Sequence, residues 1–401
     1  MLTNPERSIE EKATTYPHVR SPAASPVAAS VGPAHVYALP KNNLALTGIR
    51  GLAALWVYWF HMLPVLGLLG FHEGKWLGSF LGDGYRGVDM FFVLSGFILM
   101  YVHSGDFSVL RLPGIARFYA LRFFRVWPTH LVALLIIVSI VTLLPDFKMA
   151  VRQYFPLAFM PGGLAPTALL VQNWFGVNVR IWNGPAWTLS AEVLGYVAFP
   201  MLAYLVGTTR SRGMLLSLAL LSLSGLCAIL LVTGRAYANP FGWLGLLRMA
   251  AQFFAGICLS QYFRLGPQQD SRMAGLALLA AFGVLIAAFL VPLLGALDPI
   301  FFGCLILGLA YQRGFVYRIC SSAPAAFMGE ISYSFYLIHW VLIQLVLWAF
   351  RSKLLAANFA IPVVAFGWLI CVALAWVLYR LVELPSRRMG RWFVGQHFAP
   401  R

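Results

Sequence analysis

Residues 44–66 read LALTGIRGLAALWVYWFHMLPVL. The run holds one permanently charged side chain, Arg50, and as a helix rising 1.5 Å per residue it reaches about 35 Å. That length crosses a hydrocarbon core of about 30 Å. Runs of the same kind recur at about 87–104, 125–145, 187–206, 214–232, 246–263, 272–291, 295–313, 329–350 and 357–379. Of the 401 residues, 60% come from AVILMFWYC and 10% are Asp, Glu, Lys or Arg, against about 25% charged in an ordinary soluble domain. So few charges do not cover a soluble surface of this size. The expected fold is all-α: a polytopic transmembrane helical bundle of about ten spanning helices.

The net charge of +16 raises nucleic acid as a partner, but the 29 Lys and Arg fall mostly in short connections between apolar runs, so membrane lipids are expected around the chain and nucleic acid is not. With the N-terminus inside, the cytoplasmic side collects 20 of those 29, among them Arg50, Arg117, Arg122, Arg125, Arg387 and Arg388. This bias and the even number of spans put both termini in the cytoplasm. Residues 1–40 are rich in Ser, Ala and Pro and read as a disordered cytoplasmic tail, 41–388 as the membrane domain, and 389–401 as a short cytoplasmic tail. The start MLTNPERSIEEK has no apolar segment of the kind a cleavable signal peptide needs. The long connection 146–186 is rich in Pro, Gly and aromatic residues and poor in charge, and is expected to fold back onto the bundle. The five cysteines show no metal-site spacing and read as small buried residues; no metal is expected.

Ionisable groups within apolar spans are costly and mark candidate sites. Arg50 and His61 lie eleven residues apart, which at 100° per residue is three turns plus roughly 20°, so they share a helix face about 16 Å apart. Such a pair suits a ligand with an anionic end at the surface and a reacting end deep in the bundle, with imidazole as general base. An interfacial arginine and a histidine bonded between helices would give the same pattern. In GYRGVDMFFVLSGFILMY, 84–101, Asp89 either orients His61 or neutralises Arg86, and Ser95-Gly96 permits close helix approach or backbone contact with a ligand. In RFYALRFFRVWPTH, 117–130, Arg122 and Arg125 share a helix face and with Arg117 form a basic patch able to fork onto phosphates, although topology alone also puts arginines there. In WNGPAWTLSAEVLGY, 182–196, Glu192 needs a partner, either an arginine or the hydroxyls of an acceptor, and Trp187 and Ser190 lie beside it. His339 is a second intramembrane histidine, Glu330 is expected to open its helix, and Glu383 before Pro385 to end the last one.

In this order the clusters resemble the acyltransferase 3 family, from about residue 44 to 388. The resemblance rests on Arg50 with His61, GVDMFFVLSGF, RFFRVWP, WTLSAE, GEISYSFYLIH and ELPSRR. It implies a bundle of about ten helices in a bacterial inner membrane. It also implies O-acylation, acetyl-CoA or a related acyl-CoA giving its acyl group to a hydroxyl acceptor. Polysaccharides and other envelope glycans are the usual acceptors, small molecules less often. On this resemblance Arg50 and His61 are the essential pair, with Asp89 beside them. Arg122 and Arg125 fall on its arginine pair for the CoA phosphates, and Asp89, Ser95, Glu192 and His339 match other positions of the family. Joined with the reading of the residues, Arg122, Arg125, Arg117 and Ser95 are expected to hold the acyl-CoA, and Glu192, Trp187, Ser190 and His339 the acceptor. Some members append an SGNH hydrolase-like domain; residues 1–401 contain none, so transfer is expected to finish in the bundle or on a protein partner. A homo-oligomer is left open. The competing reading, a multi-pass transporter using the same charges as a relay, calls for an inverted repeat, and none is evident.

Overall fold

The computed structural model of the chain describes residues 43–68, 77–174, 182–233, 242–267, 292–356 and 359–398, with scattered positions between 272 and 286. The helices in the continuous stretches are α1 (Leu44–Leu68), α2 (Leu77–Gly82), α3 (Gly87–His103), α4 (Leu112–Leu143), α5 (Pro145–Tyr154), α6 (Leu164–Ala168), α7 (Trp187–Thr208), α8 (Arg212–Thr233), α9 (Trp243–Arg264), α10 (Asp298–Ala310), α11 (Gly314–Cys320), α12 (Ala323–Arg351), α13 (Ala360–Leu378) and α14 (Leu384–His397). Among the described residues eight helical stretches are long and apolar enough to cross a membrane. A ninth is added if Gly295–Ala310 and Gly314–Cys320, bent by 85°, form one broken span. The expected span 272–291 lies largely outside the described residues, as does the tail 1–40.

Local chemistry explains several boundaries. Asn43 caps α1, its Oδ1 accepting from the backbone N–H groups of Ala45 (3.1 Å) and Leu46 (3.2 Å), while its Nδ2 donates to the carbonyl of Leu309. α4 begins at Leu112 and not at 125, with a proline in its first turn. Its 32 residues reach about 48 Å, well beyond the hydrocarbon, and it carries Arg117 together with Arg122 and Arg125, the last two sharing a helix face as expected. Two further expectations are corrected. α12 starts at Ala323, so Glu330 lies seven residues into the helix, past the first turn where its dipole acts, and is exposed. Glu383 does not end the last helix: a π-turn, Tyr379–Glu383, carries the chain on into α14, where Pro385 sits in a first turn that needs no N–H.

The 146–186 connection packs onto the bundle in its described parts. The Trp182 indole donates to the carbonyl of Met160 (3.0 Å), and Asn183 Nδ2 donates to the carbonyl of Leu337 on α12 (2.8 Å). Phe147, Phe159 and Trp182 bury against Trp340 and Val341 of α12. This fixes the loop beside the middle of α12, where His339 sits. Four of the five cysteines are buried and all are free thiols.

Glycines set two close helix contacts. A Cβ on Gly329 of α12 would stand 1.9 Å from the carbonyl oxygen of Thr47, and one on Gly51 of α1 would stand 2.6 Å from the Gly329 nitrogen. α3 and α9 meet the same way, Gly96 against the carbonyl of Phe253 and Gly256 against that of Val93. Backbones therefore touch where small residues face each other. Gly329→Val is expected to force α1 from α12 and cost about 3 kcal/mol, the upper part of the range for overpacking. A fall in the temperature at which the detergent-solubilised protein loses its monodisperse elution peak would measure it; an unchanged temperature would contradict the contact.

Candidate active site

α1 and α12 run parallel past this glycine contact, and their side chains meet in register. Arg50 Nη2 donates to Ser332 Oγ (3.2 Å), Tyr58 packs on Phe335 (5.6 Å between ring centroids), and His61 Nδ1 lies 3.3 Å from His339 Nε2. Arg50 and His61 thus face the same neighbouring helix. His61 is half-buried and His339 fully buried.

A cavity of about 440 Å³ lies between α1, α3, α4, α7, α12 and α14. Along α3 it is lined from Val88 to His103, a rise of about 22 Å. Arg50, Arg122, Arg125, Arg387 and Arg391 line it, and Glu192 is the carboxylate among its lining residues. Its cationic wall toward the His103 end of α3 suits an anionic ligand, since arginines in low dielectric hold phosphate or carboxylate oxygens strongly. Toward the other end of α3 the walls become Val88, Phe91, Phe92, Leu189, Thr188 and Tyr336. His61 and His339 are not among the lining residues; Tyr336, which is, lies with its ring centroid 5.4 Å from that of His339.

The arginines differ in what already binds them. Arg125 Nη1 makes a very short ion pair with Glu383, which the π-turn directs inward and which also accepts from Ser334 Oγ (2.7 Å). Arg122 Nη2 lies 3.5 Å from the ring nitrogen of His103, and its guanidinium sits over the Phe118 ring (5.7 Å). Among the described residues it has no carboxylate partner within salt-bridge distance, and its buried Nε has no hydrogen-bond partner. Of the expected phosphate-binding pair, Arg122 is therefore the more available donor. Arg117 is exposed and absent from the cavity wall, so it does not join them. Arg387 and Arg391 do, and their spacing of four on α14 was a readable signal of one face.

On the opposite side Glu192 accepts very short from Ser95 Oγ and at 2.7 Å from the Tyr196 hydroxyl, and all three residues line the cavity. Ser95 thus faces the cavity while its neighbour Gly96 makes the helix contact. Trp187 and Ser190 do not line it. Trp187 packs edge-on against Phe92, and Ser190 is buried, its Oγ accepting from the backbone N–H of Asn173 (3.1 Å). Their observed contacts anchor α7 to its neighbours.

Asp89 needs a larger correction. It makes no hydrogen bond to His61 and does not pair with Arg86, whose guanidinium binds Asp83 (2.9 Å) and Asp298 (2.6 Å). Its carboxylate accepts from Arg248 Nη2 (2.5 Å) and Nε (3.2 Å) and from Gln252 Nε2 (2.6 Å) on α9. The reason is register: the Gly96 and Gly256 contacts bring α3 against α9 along their lengths, and Arg248 and Gln252 are one turn apart on the facing side. Arg248 sits inside the α9 segment WLGLLRMAAQFF, so an intramembrane arginine was visible in the sequence, but not its partner.

Sequence comparison places this geometry in a known group. The profile described as an acyltransferase domain, Acyl_transf_3, matches residues 43–380. The chain belongs to the acyltransferase 3 family. It is similar to the acyltransferase MdmB of Streptomyces mycarofaciens, 29% identical over 330 residues that cover 78% of this chain and 81% of MdmB. It is also similar to the O-acetyltransferase OatA of Staphylococcus aureus, 22% identical over 376 residues, 88% of this chain and 58% of OatA. No solved structure matches the chain. As a member of the acyltransferase 3 family the protein is a polytopic membrane acyltransferase, and the competing transporter reading is set aside.

Proposed function

We propose that the protein transfers an acyl group, acetyl first among them, from acyl-CoA to a hydroxyl of a glycan or another exported acceptor. The observation that carries this reading is the cavity along α3, with five arginines in its lining and an apolar, aromatic wall toward Tyr336. Coenzyme A has that polarity: phosphates at one end, a long neutral pantetheine arm, and the thioester at the tip. Its phosphates would bind Arg122, with Arg387, Arg391 and Arg50 adding charge. The arm would follow α3 toward Tyr336, one ring away from the histidine pair. The rise of about 16 Å between Arg50 and His61 is comparable to that arm.

His61 then acts as general base on the acceptor hydroxyl. Glu192, held by Ser95 and Tyr196, positions the group nearest it in the cavity, either the arm or an acceptor hydroxyl. Since CoA is cytoplasmic, the arginine end of the cavity would face the cytoplasm of a bacterial inner membrane, which agrees with the charge bias of the connections and puts both termini inside.

The test is incorporation of label from acetyl-CoA into envelope material by vesicles holding the protein. Arg122→Ala is expected to raise KM for acetyl-CoA by about 10- to 100-fold, the value of one or two charge-assisted hydrogen bonds, with a smaller change in kcat. No CoA-dependent labelling with any acyl-CoA or acceptor supplied, together with no CoA binding, would overturn the reading.

A further inference from the structure

We propose that His339 is a positioning residue for His61: it accepts the Nδ1 proton of His61 and so holds the Nε2 lone pair of His61 ready to take the acceptor's proton. The inference rests on the reading of His61 as the base. His61 Nδ1 lies 2.9 Å from the carbonyl oxygen of Val57, and His339 Nδ1 lies 2.7 Å from that of Tyr336. A carbonyl oxygen only accepts, so each Nδ1 carries its hydrogen and donates. In a neutral imidazole the other nitrogen, Nε2, then bears the lone pair. His339 Nε2 points this lone pair at His61 Nδ1 across 3.3 Å. The His61 N–H is therefore shared between the carbonyl of Val57 and the ring of His339. Moving the His61 proton to Nε2 would set its Nδ1 lone pair against two acceptors, and protonating His339 Nε2 would set N–H against N–H.

His339 is built to hold this orientation. It is fully buried, its ring lies parallel to that of Phe335 (6.1 Å, 9°), and Tyr336 packs on it from the side (5.4 Å). Tyr336 is itself pinned, its hydroxyl bonded to Thr188 Oγ1 (2.9 Å) and to the carbonyl of Pro185 (3.2 Å). A chain of contacts thus runs from the folded-back loop through Tyr336 and His339 to His61. Among the described residues His61 Nε2 has no protein partner.

In the transfer step the acceptor hydroxyl gives its proton to His61 Nε2 as its oxygen bonds the thioester carbonyl carbon. The carbon–sulfur bond then breaks, and the proton passes from Nε2 to the CoA thiolate, leaving an ester and free CoA thiol. While His61 is cationic its Nδ1–H bonds to two acceptors strengthen, so His339 stabilises the charge as well as the tautomer.

The experiment compares His339→Gln, His339→Asn and His339→Leu in the full-length protein in vesicles, with His61→Ala as reference. The Gln amide oxygen reaches the place of Nε2 and can accept from His61; the shorter Asn reaches only the place of Nδ1, and Leu offers no acceptor. Asn and Leu are expected to lower kcat about 100-fold with KM for acetyl-CoA within a factor of two, and Gln to recover to within about 10-fold of the native protein. A packing role alone would rank the shorter Asn last but would not rank Gln above Leu, which fills a similar volume without an acceptor. If Gln and Asn are equally impaired while both elute as folded protein, or if Asn keeps native kcat, the positioning role is overturned. Activity in His61→Ala would instead remove the base itself, and the two failures are told apart by that reference.

Discussion

His61→Ala is expected to lower acetyl transfer by about 1,000-fold, within the range a positioned general base contributes. Loss should fall on kcat, because Arg50, about 16 Å away along α1, and the other arginines proposed to hold the phosphates remain in place. Binding of CoA and the elution profile of the detergent-solubilised protein should stay as in the native protein. The half-buried ring makes this separation feasible, since His61 touches Phe60, Val57 and His339 but does not fill a sealed core position. A variant retaining more than a tenth of native kcat would remove His61 from the chemistry. A variant that no longer bound CoA would mean that the cavity and the histidine pair are one structural unit.

Arg248→Leu is expected to destabilise the fold by about 3–5 kcal/mol, the cost of breaking a buried ion pair from one side. Asp89 is 1% exposed, and without Arg248 it keeps Gln252 Nε2 as a donor at 2.6 Å. Water is no remedy at that depth. Removing both charges together, Asp89→Leu with Arg248→Leu, should recover more than half of the loss, because a well-packed apolar pair replaces a buried ionic one at small cost. Thermal loss of the monodisperse peak across this double-mutant cycle measures the coupling. Activity supplies the contrast: if Asp89 were catalytic, the double variant would be stable and dead. We expect it to keep measurable transfer, because its carboxylate lies in the α3–α9 contact and not against His61.

The two expected results divide the intramembrane charges by what surrounds them. Arg122 and Arg50 face a cavity, and Glu192 faces it across from them. Asp89, Arg248 and Glu383 are each fully buried among donors and acceptors of neighbouring helices. The first set can exchange a protein partner for a ligand, while the second would lose a hydrogen bond that nothing in the bilayer replaces.

Run length and charge scarcity alone determined that this chain is a membrane-spanning helical bundle, because burying a backbone in hydrocarbon leaves the helix as the available answer for such runs. The 100° step determined equally well that Arg50 and His61 share a face, since that is a property of one helix. Order of motifs along the chain was enough to indicate the acyltransferase family. Partners between helices were not legible. Asp89 had two plausible neighbours in the sequence and took a third, Arg248, because the depth at which glycines let α3 and α9 touch sets their register. Glu383 read as a helix end and became the inward counter-ion of Arg125 because a π-turn kept the helix going past Pro385. His339 stood 278 residues from His61 and met it only through the parallel packing of α1 on α12. Side-chain periodicity is a local property and is written in the sequence; the register of one helix against another is a packing minimum over many residues, and the tertiary structure decides it.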